Sequence, residues 1–587
     1  MKRITFLGAC LLTISGFAQN LTVTHEGTYA TGSFDEGASE IVAYDPTSQR
    51  LFSTNAEDNS VDIIDFSDPN NMSLILQIDL SNYGDGVNSV AVKNGVVAVA
   101  VQADPKTDSG SVVLFNTNGQ FQNSFTVGAL PDMVTFTPDG TKIISANEGE
   151  PNDDYTVDPN GSISIIELTN SGSFSGTVTT LDFTSFNGTS LPGVRLKNGA
   201  TVAEDLEPEY VGVNEAGTTA LVTLQENNAV AVLDIANMEI DAIIGLGYKD
   251  HNLIANKLDA SDKSTMVNFQ NFPNLFGMYM PDAITSFNIG GMDYYVTANE
   301  GDGREYNNYE DEIRVKDLAL DSNAFPNAAM LQEDTVLGRL TVSAVDGDTD
   351  NDGDHDELYV FGARSFTIWN SLGALVYDSG DQIEQQVFTD FPSNFNSTND
   401  DNDSYKNRSD NKGPEPEAAR AFKIGNIQFL AIGLERIGGF MIYDVSNPSA
   451  PVFLNYTNNR NFSVDADDSQ AGDLGPEDVI HISAANSPDG KEYLVVSNEI
   501  SGTVSAFSLS GYGIGISENE LTSGLDIWPN PTSDVINFSR TGEYELVDME
   551  GKVVKQVKGT QINMHDLPAG MYLVRGDGNN IHKVAKQ

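Results

Sequence analysis

Short apolar runs separated by polar turns extend along most of the chain, a pattern that predicts β-structure with many turns. Six segments repeat one arrangement: an apolar strand, a polar turn that contains Glu, and a second strand that often ends in Asp. A seventh segment, residues 89–115, has the strands without the Glu. The first strand and its Glu occupy residues 51–57, 143–148, 221–226, 295–300, 430–435 and 494–499. The body of the chain is therefore a repeat.

An acidic residue, often next to proline, stands upstream of the Glu in each of the six segments. The gap between the two is 16 to 22 residues, which suits one strand, a hairpin turn and a second strand. Pro-Asp-Gly at residues 138–140 and 488–490 marks that turn in two of the units. The upstream acids are Glu40, Asp132, Glu209, Asp282, Glu417 and Glu477.

Repeated units of this size predict an all-β chain folded as a β-propeller. A unit of about four short strands has an exposed edge, and such units stabilise one another by radial stacking. The repeat predicts seven blades, and eight is the alternative because residues 282–379 are nearly two units long. Residues 21–34 could supply the strand that closes the ring. A plain β-sandwich is the other alternative, and the repeated period argues against it.

The charge balance narrows the classes of partner. The chain has 587 residues, with 85 Asp or Glu against 31 Lys or Arg, and a formal net charge of -54. Nucleic acid and anionic membrane surfaces would be repelled, so neither is expected as a partner, whereas cation binding fits. The 39% of hydrophobic residues can form a core, and the length indicates two or more domains or one large repeat domain with additions.

The N-terminus predicts export. Residues 1–18 combine Lys2 and Arg3, a short apolar run and small residues before Gln19, as in a secretory signal peptide. The run is shorter than the about 20 residues of a transmembrane helix. Cys10 offers a lipoprotein site as an alternative. Cleavage after Ala18 would remove this single cysteine, so no disulfide would stabilise the loops of the mature chain.

The C-terminus differs in composition from the body. From residue 525 to residue 587 there are seven basic and eight acidic residues, whereas the rest of the chain is strongly acidic. This shift predicts a propeller over residues 19–515, a linker over 516–524 and a separate domain over 525–587. Alternating segments with Gly and Pro between them predict that the last domain is a small antiparallel β-sandwich.

This last domain resembles a known export signal. WPNPT, a strand–EGK–strand hairpin, LPAGMYLV and basic final residues follow one another in order. Together they resemble the C-terminal sorting domain of the type IX secretion system. The resemblance implies that the type IX machinery is a partner and that the mature protein is secreted or anchored at the outer cell surface. The alternative is an ordinary accessory β-domain.

An aspartate-rich segment at residues 346–358 predicts a calcium site. Its D-x-D-x-D-G-x-x-D spacing places carboxylates at loop positions 1, 3, 5 and 9, a Gly at position 6 and an inward carbonyl at position 7. Position 12, which is Glu in a helical EF-hand, is Tyr359, and strands flank the loop, so it resembles the hairpin calcium loops of integrin-type propellers. The alternative is a solvated acidic loop, but this many like charges repel without a counter-ion. The predicted Ca²⁺ residues are Asp348, Asp350, Asp352, Asp354 and Asp356.

A second group of residues combines both signs of charge. Repeat geometry would bring these residues together around the axis at one end of the ring. Five cations, Arg304, Arg364, Arg408, Lys412 and Arg436, could clamp a phosphate or carboxylate, while Glu300, Asp302, Glu435 and Glu499 hold a metal. Glu417 and Glu477 belong to the same strings. The alternative is a set of ion pairs and turn residues that join neighbouring blades, because such networks imitate active sites.

Seven strings in the body carry a family resemblance: ANEGDGREY, DEIRVKDL, FGARSFTIWN, RSDNKGPEPEA, GLERIGGFMIYDVS, GDLGPE and SNEISGTV. In this order they resemble the choice-of-anchor I family of extracellular propellers, which includes the mesenchyme-specific cell-surface glycoprotein group. The resemblance covers roughly residues 21–510. It implies a propeller outside the cell, and some relatives are labelled alkaline phosphatases or are fused to phosphatase domains.

Familiar catalytic motifs are missing from the sequence. It contains no H-E-x-x-H, no G-x-S-x-G and no P-loop, and its six histidines are scattered. We therefore expect a secreted, cell-surface, calcium-binding propeller that acts as a binding or adhesion module for an extracellular protein, a glycan or a phosphate-bearing ligand. One alternative is a calcium-dependent phosphate-ester hydrolase at the central opening. A purely structural surface-layer component is another.

Overall fold

The computed structural model of the protein describes residues 21–511, 527–548, 552–575 and 581–587. The chain divides into two compact units, residues 1–510 and 511–587. The predicted signal peptide, residues 1–18, and the predicted linker, residues 516–524, lie outside the described residues. Among the described residues, no helix has the length and apolar character that crossing a membrane requires.

The first unit is all-β. Its described residues form seven four-stranded antiparallel sheets, numbered here in chain order. Sheet 1 is Val42–Asp45, Arg50–Asn55, Ser60–Asp65 and Ser73–Asp79; sheet 2 is Gly86–Lys93, Val96–Gln102, Ser109–Asn116 and Phe121–Ala129. Sheet 3 is Pro131–Phe136, Lys142–Asn147, Ser162–Leu168 and Gly176–Asp182; sheet 4 is Pro208–Val213, Thr219–Leu224, Ala229–Asp234 and Glu239–Gly245. Sheet 5 is Ile284–Ile289, Met292–Asn299, Ser365–Asn370 and Leu375–Asp378; sheet 6 is Pro416–Ile424, Ile427–Leu434, Phe440–Asp444 and Val452–Thr457. Sheet 7 is Pro476–Ile482, Glu492–Asn498, Thr503–Ser510 and Thr22–Ala30.

The sheets are arranged in a closed ring, which is the architecture of a β-propeller. The first strand of each sheet contacts the first strand of the next, from sheet 1 through to sheet 7, and the first strand of sheet 7 contacts that of sheet 1. These first strands therefore surround the axis. The N-terminal strand Thr22–Ala30 pairs with Thr503–Ser510 and completes sheet 7, so the two ends of this unit close the ring.

The hydrophobic core lies between neighbouring sheets. Val99 and Val113 of sheet 2 pack with Phe52 and Ile63 of sheet 1 in one cluster. A middle strand is covered on both faces, so every residue from Val96 to Val101 is buried. Outermost strands such as Ser73–Asp79 are mostly exposed. Continuous apolar runs in the middle strands follow from this two-sided packing.

The long segment that suggested an eighth blade is an insertion in sheet 5. Residues 300–364 leave after the second strand of the sheet and return to its third strand. The insertion and residues 248–278 share a hydrophobic cluster that includes Leu275, Leu340 and Leu358. Their short strands are Tyr248–Asp250, Leu275–Met278, Glu305–Tyr306, Tyr309–Glu310, Glu312–Arg314, Thr341–Ser343 and Leu358–Val360.

Helices are short in the described residues. The longest is Gln382–Asp390, whose Ile383 and Val387 join the core between sheets 5 and 6. The others are the α-helices Val202–Asp205 and Ala328–Leu331 and the 3-10 turns Thr184–Phe186 and Val315–Asp317.

The second unit has its own core. Its described strands join in one antiparallel, five-stranded network in which Val535–Val547 pairs with three other strands. Ile536, Leu546 and Val574 are fully buried in its core. The antiparallel strands agree with the sequence pattern, while the sandwich arrangement stays a prediction. The strands are Ile527–Trp528, Val535–Val547, Val553–Asn563, Gly570–Arg575 and Ile581–Lys586.

Candidate functional site

The repeat brings its two acidic positions to the same end of the ring. Within a sheet, the start of the first strand pairs with the end of the second, as Pro131 does with Asn147 and Pro476 with Asn498. The upstream acid follows such a proline, and the Glu of the turn comes directly after such an Asn. Both acids therefore lie at one end of the innermost strands, beside the axis.

A local irregularity re-aims several of the upstream acids. The strand register skips where Asp132, Glu209, Glu417 and Glu477 stand, at the start of the innermost strands. A β-bulge bends the strand and turns the side chain of the extra residue, and bulges are frequent next to functional sites. Sheet 2 has the same irregularity at Asn88, which carries no charge.

Carboxylates converge in three groups of three at this end of the ring. Within each group, one oxygen from each residue lies within 4.8 Å of the other two. The axial groups are Glu148, Glu209 and Glu226; Asp282, Glu417 and Glu477; and Glu300, Glu415 and Glu435.

The third axial group is neutralised by cations. Glu415 is fully buried, and its carboxylate lies 2.7 Å from Arg408 Nη2 and 2.8 Å from Arg436 Nε. Lys412 Nζ lies 3.5 Å from Glu415 and also pairs with Glu300. Burial alone would raise the pKa of Glu415, but Lys412, Arg436 and Arg408 outweigh it and lower that pKa to about 2. This group is an ion-pair network.

The other two axial groups have no such neutralisation. No Lys or Arg in the described part of the chain forms an ion pair with any of their six carboxylates. Burial, and after it repulsion from neighbouring carboxylates, raises the pKa of Glu209 and of Glu477 well above the ordinary range. The charge at this end of the ring is therefore unevenly compensated.

A cavity of about 730 Å³ opens over the axis at this end. Part of its wall is the strands Glu305–Tyr306 and Tyr309–Glu310, which the insertion in sheet 5 contributes. Lys106, from the loop after the second strand of sheet 2, pairs with Glu150 at the wall. The charged residues that line the cavity are Lys106, Glu150, Asp153, Glu226, Asp302, Arg304, Glu305, Glu310, Glu312, Arg408, Lys412 and Arg436.

The predicted cations do not all reach this cavity. Arg304 lines it but is 3% exposed, with Nη2 2.9 Å from Glu207 Oε2 and Nη1 3.3 Å from Asp205 Oδ1. Arg364 is also 3% exposed, pairs with Glu384 at 2.9 Å and lies outside the cavity lining. These two arginines hold parts of the fold together. Arg408, Lys412 and Arg436 combine that role with a position on the cavity wall.

The remaining predicted acids interact with Lys412 or Arg436. Asp302 is exposed on the wall, 3.4 Å from Lys412 Nζ. Glu435 accepts a hydrogen bond from Asn399 Nδ2 at 2.9 Å, and burial raises its pKa to about 8. Burial also raises the pKa of Glu499, with Arg436 opposing the shift.

The aspartate-rich loop lies in the sheet 5 insertion. Asp348, Asp350 and Asp356 bring one oxygen each within 4.8 Å of one another. Asp348 also accepts hydrogen bonds from the backbone N–H groups of Asp352 at 3.1 Å and Gly353 at 3.0 Å, which curls the loop around its carboxylate.

The two other predicted ligands of the loop are placed differently. Asp354 groups with Asp356 and with Asp321, a residue outside the motif. Asp352 belongs to neither group, and its carboxylate accepts the backbone N–H of Asp354 at 3.3 Å. Because Asp321 lies 33 residues before Asp354 and 35 before Asp356, the motif spacing gave no signal for it.

Sequence reasoning missed several residues of the axial site. Glu148, Glu209 and Glu226 occupy repeat positions that the pattern marked, but nothing in the sequence indicated that these three acids of two neighbouring units would come together. Glu415 was inside a quoted string without a role. Lys106 comes from the one unit that lacks the Glu, so the repeat did not indicate it.

These features define a class: a β-propeller with a charged cavity over its axis. Residues 40–448 match the choice-of-anchor I domain. The chain belongs to the choice-of-anchor I family. Residues 526–587 match the secretion system C-terminal sorting domain. The protein is thus a secreted or cell-surface-anchored protein.

Two curated relatives match parts of the chain. Gigasin-3a of Magallana gigas is 28% identical over 247 residues, which are 40% of this chain and 87% of that protein. The mesenchyme-specific cell surface glycoprotein of Strongylocentrotus purpuratus is 26% identical over 290 residues, 43% of this chain and 37% of the relative. The chain therefore spans little more than a third of the sea urchin protein.

Solved structures with similar folds are distant in sequence. A hydrazine synthase of Kuenenia stuttgartiensis is 13% identical with a TM-score of 0.40, covering 81% of this chain and 98% of that one. The β-propeller domain of Cps50 (Swd1) from Myceliophteria thermophila is 9% identical with a TM-score of 0.40, covering 83% and 100%. The propeller assignment stands on the ring of sheets described above.

Replacing Glu415 with glutamine tests the ion-pair network. Glu415→Gln leaves the buried Lys412 and the half-buried Arg408 and Arg436 without their shared counter-charge, so we expect the free energy of unfolding to fall by about 3 kcal/mol. Denaturant unfolding followed by circular dichroism measures it. Glu305→Gln, an exposed change on the cavity wall, is the control and should have little effect. Equal stability of the two variants would contradict the network.

The buried acids predict an unusual pH dependence. Burial raises the pKa of Glu40 to about 8, of Asp132 to about 7 and of Glu435 to about 8, from ordinary values of 4.5, 3.8 and 4.5. Between about pH 4 and pH 8 the folded state holds more protons than the unfolded state, so its stability falls as pH rises. We expect the melting temperature of the calcium-free protein to decrease from pH 5 to pH 8. A melting temperature that rises over this interval would contradict the burial of these acids in their charged surroundings.

Proposed function

We propose that the protein is a secreted, cell-surface β-propeller that binds calcium and uses the cavity over its axis to bind an extracellular ligand. The observation that carries this proposal is the cavity itself, which is wide, charged and built from many separate segments of the ring. We also infer seven blades, because seven sheets contact one another in a closed cycle among the described residues. Export by the type IX machinery follows from the sorting domain.

The proposed ligand contacts are the cations of the cavity wall, which stand there among seven acidic residues. Lys106, Arg408, Lys412 and Arg436 stand on its wall in a chain that is otherwise strongly acidic. The side chain of Lys106 is 32% exposed, so its ammonium group is accessible to a ligand in the cavity. Arginine and lysine at one opening suit phosphate or carboxylate groups. A glycan with acidic groups or a phosphate-bearing ligand would fit this surface.

Calcium is proposed for the aspartate-rich loop. Asp348, Asp350 and Asp356 supply three convergent carboxylates, and a hard cation needs six to eight oxygen ligands in total. Asp354 Oδ1 is buried and has no hydrogen-bond partner within the described residues, so Asp354 and Asp321 could extend the ligand set. A cation here would tie the two ends of the loop together, a role that a disulfide has in other exported proteins.

A second candidate function is a calcium-dependent phosphate-ester hydrolase. The observation in its favour is that the cavity places cations next to carboxylates that no cation neutralises, with Glu226 on the wall. A bound metal could polarise a phosphate and activate water, while the Lys and Arg side chains hold the ester. We keep the binding module as the first proposal because the site has no evident general base or nucleophile of the familiar motifs.

Phytate with calcium is the probe that separates the two proposals. Binding to the full chain by calorimetry without phosphate release would support the binding module, whereas phosphate release that EDTA abolishes would support the hydrolase. Lys106→Ala should lower the phytate affinity, or the rate of phosphate release, about tenfold, because it removes one positive charge from the cavity wall. Lys93→Ala, at the far end of the innermost strand of sheet 2, is the matched control. The absence of both phytate binding and phosphate release would contradict an anion site.

The loop proposal predicts a calcium-dependent gain in stability. Calcium should raise the melting temperature of the full chain, and EDTA should reverse the effect, because the ion binds the folded loop only. Asp348→Asn combined with Asp356→Asn should remove a part of this gain, since both residues belong to the convergent group. Asp317→Asn, an exposed acid of the same insertion, is the control. If calcium raises the melting temperature of the double variant as much as that of its parent, the loop does not bind calcium.

A further inference from the structure

We propose a second divalent-cation site at the axis, formed by Glu148, Glu209 and Glu226 and separate from the aspartate-rich loop. The three residues come from sheets 3 and 4: Glu148 and Glu226 follow the second strands, and Glu209 stands at the start of the innermost strand of sheet 4. The ligand class is a hard cation with oxygen ligands, and Ca²⁺ is the representative tested below.

The spacing of the three carboxylates fits one ion. Ca²⁺ binds oxygens at about 2.4 Å, so two oxygens on the same ion are at most about 4.8 Å apart. One oxygen from each of the three glutamates meets this limit with respect to both others. The remaining ligands of the ion would be water or groups of a molecule in the cavity.

Unpartnered atoms point to the ligand independently of the spacing. Glu209 and Glu226 are 8% and 7% exposed, and Oε2 of each is buried without a hydrogen-bond partner in the part of the chain that the structure describes. A buried carboxylate oxygen without any partner is costly. The two atoms belong to residues that meet in the same group, so a single cation would satisfy both.

Neighbouring side chains do not neutralise the group. The guanidinium of Arg304, whose charge acts on Glu226, forms its ion pairs with Asp205 and Glu207. Gln225, next to Glu226 in the chain, donates its amide to Glu300 at 2.9 Å instead. The Glu300, Glu415 and Glu435 group has the same spacing but is surrounded by Arg408, Lys412 and Arg436. We therefore assign the metal cation to the group that contains Glu209 and ion pairs to the group that contains Glu415.

An ion can reach this group from solvent. Glu226 is part of the cavity lining, and Arg304 and Tyr306 stand beside it on the same wall. The site therefore meets the ligand cavity through Glu226. A cation there would also reduce the negative potential that an anionic ligand meets on entering.

Equilibrium dialysis with calcium alone tests the site on the full chain. The background carries Asp348→Asn and Asp356→Asn, so that failure of the loop and failure of the axial site are measured separately. We expect Glu209→Gln to reduce the number of bound calcium ions by one, or to lower the affinity for that ion by about tenfold or more. Glu57→Gln is the matched control, because Glu57 occupies the corresponding turn of sheet 1 but is exposed. An unchanged number and affinity in Glu209→Gln would overturn the proposal.

Melting curves distinguish a ligand from a structural carboxyl group. Without calcium, Glu209→Gln should melt higher than its parent, because it relieves repulsion between buried carboxylates; with saturating calcium it should gain less than its parent does. A lower melting temperature with an equal calcium gain would mean a hydrogen-bonded structural glutamate, and the proposal would be wrong. Glu148→Gln, at a less buried position, provides the same comparison if Glu209→Gln fails to fold.

Discussion

The repulsion between carboxylates at one end of the ring is the constraint on which this structure depends. A repeat that carries an acid at the start of one strand and a Glu after the next gathers both around a shared axis, whatever their separation in sequence. Burial makes each charge expensive, so the fold is stable only where the charge is neutralised by a cation, a proton or a metal ion.

The ring meets this constraint differently in different sectors. Around Glu415, the fold supplies Arg408, Lys412 and Arg436, and the carboxylate stays ionised. Around Glu209, no Lys or Arg of the described residues forms an ion pair with the carboxylates. Glu226 connects this group to the cavity. The first sector holds the sheets together, and the second can exchange its counter-ion with solvent. This difference is what makes the axial cavity a candidate for function.

The sequence was sufficient for the parts of the structure that depend on periodicity. The strand pattern predicted a propeller, and separately the seven quoted strings predicted the family that residues 40–448 match. Side-chain partners were harder, because they depend on which units the ring brings together. Arg364 has a suitable charge and position in the chain but is enclosed by Glu384 and backbone carbonyls. Asp321 joins Asp354 and Asp356 across a fold of the insertion that no local spacing encodes.

The most direct test of the account is a crystal structure of the full chain grown with calcium, with an anomalous difference map to locate the ions. The account predicts a calcium peak in contact with Glu148, Glu209 and Glu226 and none between Glu300, Glu415 and Glu435, where side-chain cations already balance the charge. A map without any ion at the first group, with its carboxyl groups hydrogen-bonded to one another, would show that protons alone balance the axial charge.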